Sequence, residues 1–196
     1  MRRLGLLAGA LGALLALSVG QQASAAALRE QARAAADALL QRLLGRLNQE
    51  YQQGGAERGA EVCSQVAQSL TREVAREQGV HIRRVSLKNR NPRNAPDAWE
   101  RQILQRWERD LQAGKQIGEV GEWRTQQGRR VYRSMRPIML AMPLCLECHG
   151  DPQSLKPEVR RLIRQNYPND KATGYKLGDL RGAFSITLTP KEVHQR

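Results

Sequence analysis

The sequence predicts an α+β domain in which helices flank an antiparallel sheet. Three observations lead to this fold class. Apolar residues recur every three or four positions near the N-terminus, they alternate with polar residues in later segments, and turn-forming residues separate the segments. The length agrees, because a chain of 196 residues with 40% hydrophobic residues can bury one core.

The N-terminal segment predicts export. Two arginines precede an apolar run over residues 4–19 and then the triplet Ala23-Ser24-Ala25, which is the pattern of a secretory signal peptide. The run is shorter than the roughly 20 residues of a spanning helix, so cleavage after the triplet is favoured over an uncleaved anchor. We therefore expect a signal peptide over residues 1–25 and one periplasmic or otherwise exported domain over residues 26–196.

The charge balance indicates the class of partner. The formal net charge is +13, and +11 remains once the two arginines of the signal segment are removed. Such a surface favours an acidic redox partner or signalling protein. Nucleic acid is excluded as a partner outside the cytoplasm.

The mature chain begins with a predicted long amphipathic helix that ends at Gly54-Gly55. We expect its apolar stripe to pack on its own domain or to form a homodimer, rather than to lie on a membrane surface. The stripe comprises Leu28, Ala32, Ala35, Leu39, Leu43, Leu47 and Tyr51.

A second helix is predicted over residues 58–78, because valine and leucine recur at helical spacing before Gly79. Cys63 lies beside this apolar face. A lone cysteine at such a position is ordinarily a small buried hydrophobe, and its functional alternative is a thiolate ligand to a metal.

The next segments predict a strand, a loop and a helix. Val80–Leu87 predicts a strand whose apolar positions shift by one residue midway, which indicates a bulge. The loop Asn89–Pro96 follows, and Asp97 can cap a helix that ends at Gly114. The expected buried face of that helix comprises Ile103, Leu104, Trp107 and Leu111.

The C-terminal third completes the predicted sheet. Residues 119–143 predict two strands joined near Gln127-Gly128, and a short helix is expected over Pro157–Gln165. The segment Gly174–Leu188 ends in a further strand, because alternate residues near its end are apolar.

The sequence Cys145-Leu146-Glu147-Cys148-His149 matches the C-x-x-C-H pattern of c-type haem attachment. Two thiols at this spacing can each add to one vinyl group of a porphyrin, and the adjoining imidazole can reach the iron. The alternatives are a redox C-x-x-C pair or half of a zinc site. In an exported chain we favour one covalently bound haem c.

Candidates for the second axial ligand of such an iron can be narrowed by elimination. No methionine follows His149. Of the other histidines, His81 lies in a strand with basic neighbours and His194 lies near the C-terminus, so neither is well placed. Cys63 therefore leads, with His81 or a vacant position as the fallback.

Four basic residues close to the predicted first strand are candidates to bind the two haem propionates. They are Arg83, Arg84, Lys88 and Arg90. The alternative for all four is a solvated basic face.

Three longer stretches carry a resemblance to a known family. They are Ser86-Leu87-Lys88 with the loop Arg90–Pro96, the run Pro143–Pro152, and the stretch Gly174-Tyr175 with Gly178–Ala183. The chain resembles a bacterial family of extracytoplasmic c-type haem proteins, long filed as a domain of unknown function, whose members occur alone or as input domains of membrane signalling proteins. The resemblance implies a PAS-like fold, a haem on Cys145 and Cys148, His149 as proximal ligand and Cys63 as distal ligand.

We therefore expect an exported mono-haem c-type cytochrome that acts in electron transfer or redox sensing. The alternative is a gas-sensing haem module whose distal site opens on reduction. An enzyme is not expected, because two filled axial positions leave no site for a substrate and only His81 offers itself as a general acid or base.

Overall fold

A computed structural model describes residues 8–62 and 66–189, with side chains from residue 25 onward. Cys63 and His194 lie outside the described residues, and so do residues 1–7 and the side chains of residues 8–24 in the expected signal peptide. Among the described residues, no helix has both the length and the apolar character needed to cross a membrane.

The described chain contains five α-helices and four strands. The helices are α1 (Ala8–Glu61), α2 (Ala67–Gln78), α3 (Ala98–Gln112), α4 (Pro143–His149) and α5 (Pro157–Asn166). The strands are β1 (His81–Val85), β2 (Val120–Gln126), β3 (Arg129–Met139) and β4 (Leu180–Leu188). Their order along the chain is α1-α2-β1-α3-β2-β3-α4-α5-β4. A short 3-10 turn covers Pro92–Asn94.

The four strands form one antiparallel sheet in the order β1-β4-β3-β2. The fold class is the expected one, a PAS-like α+β domain with helices flanking the sheet and a long N-terminal helix. β2 and β3 form a hairpin through Gln127 and Gly128, which have φ values of 50° and 75°. Positive φ at both central residues is typical of a tight hairpin turn.

Helices cover both faces of the sheet. On one face, α1 and α2 pack against side chains such as Ile82, Tyr132 and Phe184. On the other face, α3 packs against Val85 and Met135. Because successive side chains of a strand point to opposite faces, neighbouring residues of one strand enter different cores.

This two-sided burial explains an error in the sequence prediction. A bulge was expected in the first strand, yet β1 pairs with β4 in continuous register from His81 opposite Thr187 to Val85 opposite Ala183. The apolar positions change phase because Ile82 faces α1 and Val85 faces α3. The bulge lies instead between Ile138 and Met139 of β3.

α1 is interrupted where the sequence predicts its end. Gly54 and Gly55 have non-helical backbone angles, with φ of 64° at Gly55, and the helix then resumes to Glu61. The helix predicted over 58–78 therefore corresponds to the last turn of α1 together with α2. The packing of Ala35 and Leu39 against the sheet agrees with the expectation that the α1 stripe packs on its own domain.

A buried ion-pair cluster fixes the start of α3. Asp97 accepts a hydrogen bond from the Glu100 amide, and the Glu100 carboxylate accepts one from the Asp97 amide, so the predicted cap is a full capping box. Glu100 is fully buried and also accepts from Arg133 at 3.0 Å. One carboxylate thus holds both the helix end and a buried guanidinium on β3.

We expect Glu100→Gln to lower the free energy of unfolding by about 2–4 kcal/mol, because it removes the buried one of the two carboxylates that pair with the guanidinium of Arg133. Urea titration followed by circular dichroism measures this change. The matched control is Glu30→Gln, whose carboxylate is exposed and pairs along its own helix with Arg33; its effect should stay within about 0.5 kcal/mol. Equal effects of the two variants would contradict the role of Glu100.

Candidate functional site

The C-x-x-C-H motif lies on the short helix α4. Pro143 occupies its first turn, where a missing N–H costs nothing, and Gly150 follows its last residue. Cys145 and Cys148 are three positions apart and are therefore neighbours on the helix surface. Cys145 packs beside Tyr175, and Cys148 packs beside the end of α1 and α5. The motif helix is thus anchored on both sides.

The imidazole of His149 is held in a defined tautomer. Its Nδ1 lies 2.7 Å from the carbonyl oxygen of Ala172. A carbonyl can only accept, so Nδ1 carries the proton and Nε2 keeps its lone pair. Loss of solvent around the ring, together with the positive charges of Arg181 and Arg90, lowers the pKa of His149 well below its ordinary value. The ring is therefore neutral at pH 7, and its Nε2 keeps the lone pair that metal binding requires.

A cavity of about 450 Å³ lies beside α4. This volume falls within the range of about 300–1000 Å³ that small-molecule and cofactor sites occupy. Its walls are mostly apolar and come from α1, the sheet and the motif helix. The lining residues include Leu40, Leu43, Leu44 and Leu47 of α1, Ile138, Met139 and Phe184 of the sheet, and Cys145, Cys148 and His149 of α4.

Four arginines interrupt the apolar wall. They are Arg84, Arg90, Arg136 and Arg181. Arg136 is paired with Asp37 at 2.5 Å, and Arg181 donates to the Ser86 hydroxyl at 3.0 Å. The cavity therefore combines an apolar body with cationic groups, which suits a flat apolar ligand that carries carboxylates.

The structure separates the four basic residues that the sequence singled out. Arg84 and Arg90 line the cavity. Arg83 points to the opposite face of the sheet, where it contacts the Ala95 carbonyl and pairs with Glu100 at 3.6 Å. Lys88 donates to the Thr173 carbonyl at 2.5 Å and lies over the Tyr175 ring at 4.3 Å. Neither Arg83 nor Lys88 is among the cavity-lining residues.

The remaining sequence candidates have different outcomes. Cys145, Cys148 and His149 are brought together at the cavity wall. His81 is exposed on β1 and is not among the lining residues. Cys63 lies outside the described residues, so its assignment as distal ligand stays a prediction. Among the described residues, no group of three or more His, Cys, Asp or Glu side chains is placed to hold a metal ion.

Sequence reasoning missed several residues of this site. Arg136 could have been found from strand alternation, because it lies on the same face of β3 as Tyr132 and Ile138, which pack in the core under α1. Arg181 lies within the stretch that carries the family resemblance. No local pattern marked Ala172, whose contribution is a backbone carbonyl.

Tyr51 and Glu147 join α1 to the motif helix. The Tyr51 hydroxyl donates to a carboxylate oxygen of Glu147 at 2.5 Å, and both residues line the cavity. This hydrogen bond, with partial burial and the negative charge of Glu147, raises the pKa of Tyr51 above its ordinary value near 10. The contact therefore links the cavity wall on α1 to the motif.

The fold and the site define a class of protein: a PAS-like α+β domain that carries a C-x-x-C-H helix at the wall of an apolar cavity. The chain belongs to the Tll0287-like family, whose model matches residues 21–189. Among solved structures it is similar to the crystal structure of the cyanobacterial haem protein Tll0287. The two share 29% sequence identity at a TM-score of 0.50, over 66% of this chain and 72% of that chain. No curated protein matched the sequence.

We expect Tyr51 to ionise at a higher pH than a solvent-exposed tyrosine, and Glu147→Gln to return its pKa toward the ordinary value. The neutral phenol is the form that donates to Glu147, so the stabilisation from this contact is present below pH 10 and is lost as the pH rises through the folded-state pKa. Carbon-13 NMR of the tyrosine Cζ atoms measures the titration, with Tyr51→Phe identifying the signal. An unchanged Tyr51 titration in Glu147→Gln would contradict the coupling.

Proposed function

We propose that this protein is an exported c-type cytochrome with one covalently attached haem, acting in electron transfer or redox sensing. The observation that carries the proposal is the conjunction of two thiols and a neutral imidazole with its Nε2 lone pair at one wall of an apolar cavity. The family membership and the likeness to a haem protein support it. Its localisation rests on the signal-peptide pattern of residues 1–25.

The residues at the cavity fit haem c. Cys145 and Cys148 would form the two thioethers, and His149 would be the proximal ligand. The leucines of α1 and the aromatic ring of Phe184 supply apolar contacts for a porphyrin. When bound, haem supplies a one-electron couple between ferric and ferrous iron.

Cationic residues of the cavity suit the two propionates. Arg84 and Arg90 are the sequence candidates that line the wall, and Arg136 and Arg181 line it as well. Guanidinium groups bind carboxylates through charge-assisted hydrogen bonds and can do so in a bidentate manner. Their positive charge favours the more electron-rich ferrous form, which raises the reduction potential.

We propose Cys63 as the distal ligand, on the grounds of elimination and family resemblance. A thiolate opposite an imidazole donates charge to the iron and favours the ferric form, which lowers the potential relative to a His/Met pair. Two protein ligands leave no site for a substrate, so we propose no catalytic activity. Displacement of Cys63 on reduction would instead open the iron to a gas, which is the alternative function.

The partner is proposed to be an acidic redox or signalling protein. The chain carries 32 lysine and arginine residues against 19 acidic ones, so its field attracts negatively charged proteins. Such steering raises association rates and weakens with ionic strength.

We expect the protein, produced in a host competent in cytochrome maturation, to gain the mass of one haem and to have lost residues 1–25. Because thioether bonds are covalent, the colour should remain with the protein in acidified acetone. Cys145→Ser or Cys148→Ser should each leave one vinyl group unreacted, which shifts the absorption of the pyridine complex. A colourless product, or colour lost to the solvent, would overturn the proposal.

We expect Cys63→Ser to change the ferric visible spectrum without reducing haem attachment, because the substitution removes the proposed thiolate ligand but neither thioether. Met142→Leu, at the cavity wall, serves as a matched sulfur-removing control and should leave the thiolate features in place. Carbon monoxide distinguishes the two functions in the wild-type protein. Inertness of the ferrous form supports electron transfer, and rapid binding supports gas sensing. An unchanged ferric spectrum in Cys63→Ser would show that the ligand assignment is wrong.

A further inference from the structure

The loop that supplies the acceptor for His149 is tied to the motif by its backbone. The amide of Gly174 donates to the Gly150 carbonyl at 2.8 Å, and the amide of Tyr175 donates to the His149 carbonyl at 3.0 Å. Ala172 lies two residues before Gly174 in the same loop, and its carbonyl accepts a hydrogen bond from His149. The position of this one carbonyl therefore depends on how the loop is held.

A buried ion pair holds the loop from the other side. Arg90 donates from Nε and Nη2 to the two carboxylate oxygens of Asp170, at 3.0 Å and 3.1 Å. Their side chains are only 6% and 10% exposed. Such a two-pronged contact fixes the relative orientation of both groups, which a single ammonium does not.

The same guanidinium reaches the main chain on both sides of the imidazole. Its Nη2 donates to the Cys148 carbonyl at 2.7 Å and to the Ala172 carbonyl at 3.3 Å. Asp170 in turn accepts from the Ala172 amide at 2.9 Å. Arg90 and Asp170 thus hold the main chain at two points. These are Cys148, the residue before His149, and Ala172, whose carbonyl His149 contacts.

We infer that Arg90 and Asp170 are positioning residues for His149: their ion pair fixes the Ala172 carbonyl against Nδ1 and so sets the tautomer and ring orientation of the imidazole. The role in tuning a haem iron rests on the proposed function. Arg90 thus has a task other than the propionate contact expected from the sequence, because two of its three nitrogens are engaged by the loop and the motif.

Asp170 separates the two roles of Arg90. It is not among the residues that line the cavity, so it has no direct access to a ligand there. If Arg90 served only a propionate, Asp170→Asn would act merely by removing a negative charge. Asp151→Asn is the matched control, since it removes the same charge two residues after His149 while the bonds of Asp151 stay within its own turn.

The first measurement is the hydrogen exchange of the His149 Nδ1–H by nitrogen-15 NMR. We expect exchange to be about tenfold faster in Asp170→Asn than in Asp151→Asn, because the acceptor is no longer held. The second is the reduction potential of the haem-loaded protein. A weaker Nδ1 hydrogen bond makes the imidazole a poorer donor. The ferric–ferrous equilibrium should therefore shift about tenfold toward ferrous relative to the control, which is about 59 mV for one electron.

A second variant keeps the test decisive if Asp170→Asn alone fails to fold. Arg90→Gln combined with Asp170→Asn removes both charges and leaves no unpaired charge buried. It should reproduce the faster exchange and the shifted potential. If exchange and potential in both the single and the double variant match the Asp151→Asn control, the positioning role is overturned. It is equally overturned if the double variant shifts the potential while Asp170→Asn alone does not, since Arg90 would then act on the haem directly.

The two proposals fail in different ways. Absence of bound haem would refute the proposed function, yet the Nδ1–H measurement on the same full chain would still decide whether the ion pair positions the imidazole. Conversely, a haem-loaded protein with unaltered exchange in Asp170→Asn would leave the proposed function standing and refute the positioning role.

Discussion

Burial of the sheet on both faces is the constraint from which the rest of the structure follows. Each strand must place one set of side chains under α1 and α2 and the alternate set under α3. Arg84 and Arg83 are adjacent in sequence, and this alternation sends the first to the cavity and the second to the ion-pair cluster with Glu100. The cavity and the buried ion-pair cluster therefore lie on opposite faces of the same sheet.

The site is assembled from segments that are distant in sequence. α1 contributes a leucine wall, the sheet contributes Phe184 and arginines, and α4 contributes the thiols and the imidazole. Contacts such as that between Tyr51 and Glu147, which are 96 positions apart, bring these parts together. The motif alone specifies which atoms can bind a porphyrin. The surrounding fold determines the tautomer of the imidazole, the shape of the cavity and the charges around it.

Local patterns predicted much of this molecule. The helix boundaries at Asp97 and Gly114, the Gln127-Gly128 turn and the α+β class depend on short-range chemistry, and the sequence carries those signals directly. The phase change in β1 was misinterpreted as a bulge, because a strand buried on both faces does not alternate in the simple way. The segment from Asp170 to Thr173 gave no signal, since its contribution comes from main-chain atoms and long-range pairing.

The hydrogen-bond acceptor for His149 belongs to the polypeptide backbone, and this determines which substitutions can remove it. No codon specifies a carbonyl oxygen, so mutation at position 172 cannot delete the acceptor, although the fully buried Ala172 side chain limits the size of any replacement. The information that places this oxygen is written at other positions, chiefly 90 and 170. Among natural variants, substitutions that alter the environment of His149 are therefore expected at positions 90 and 170 rather than at position 172, whose carbonyl His149 contacts.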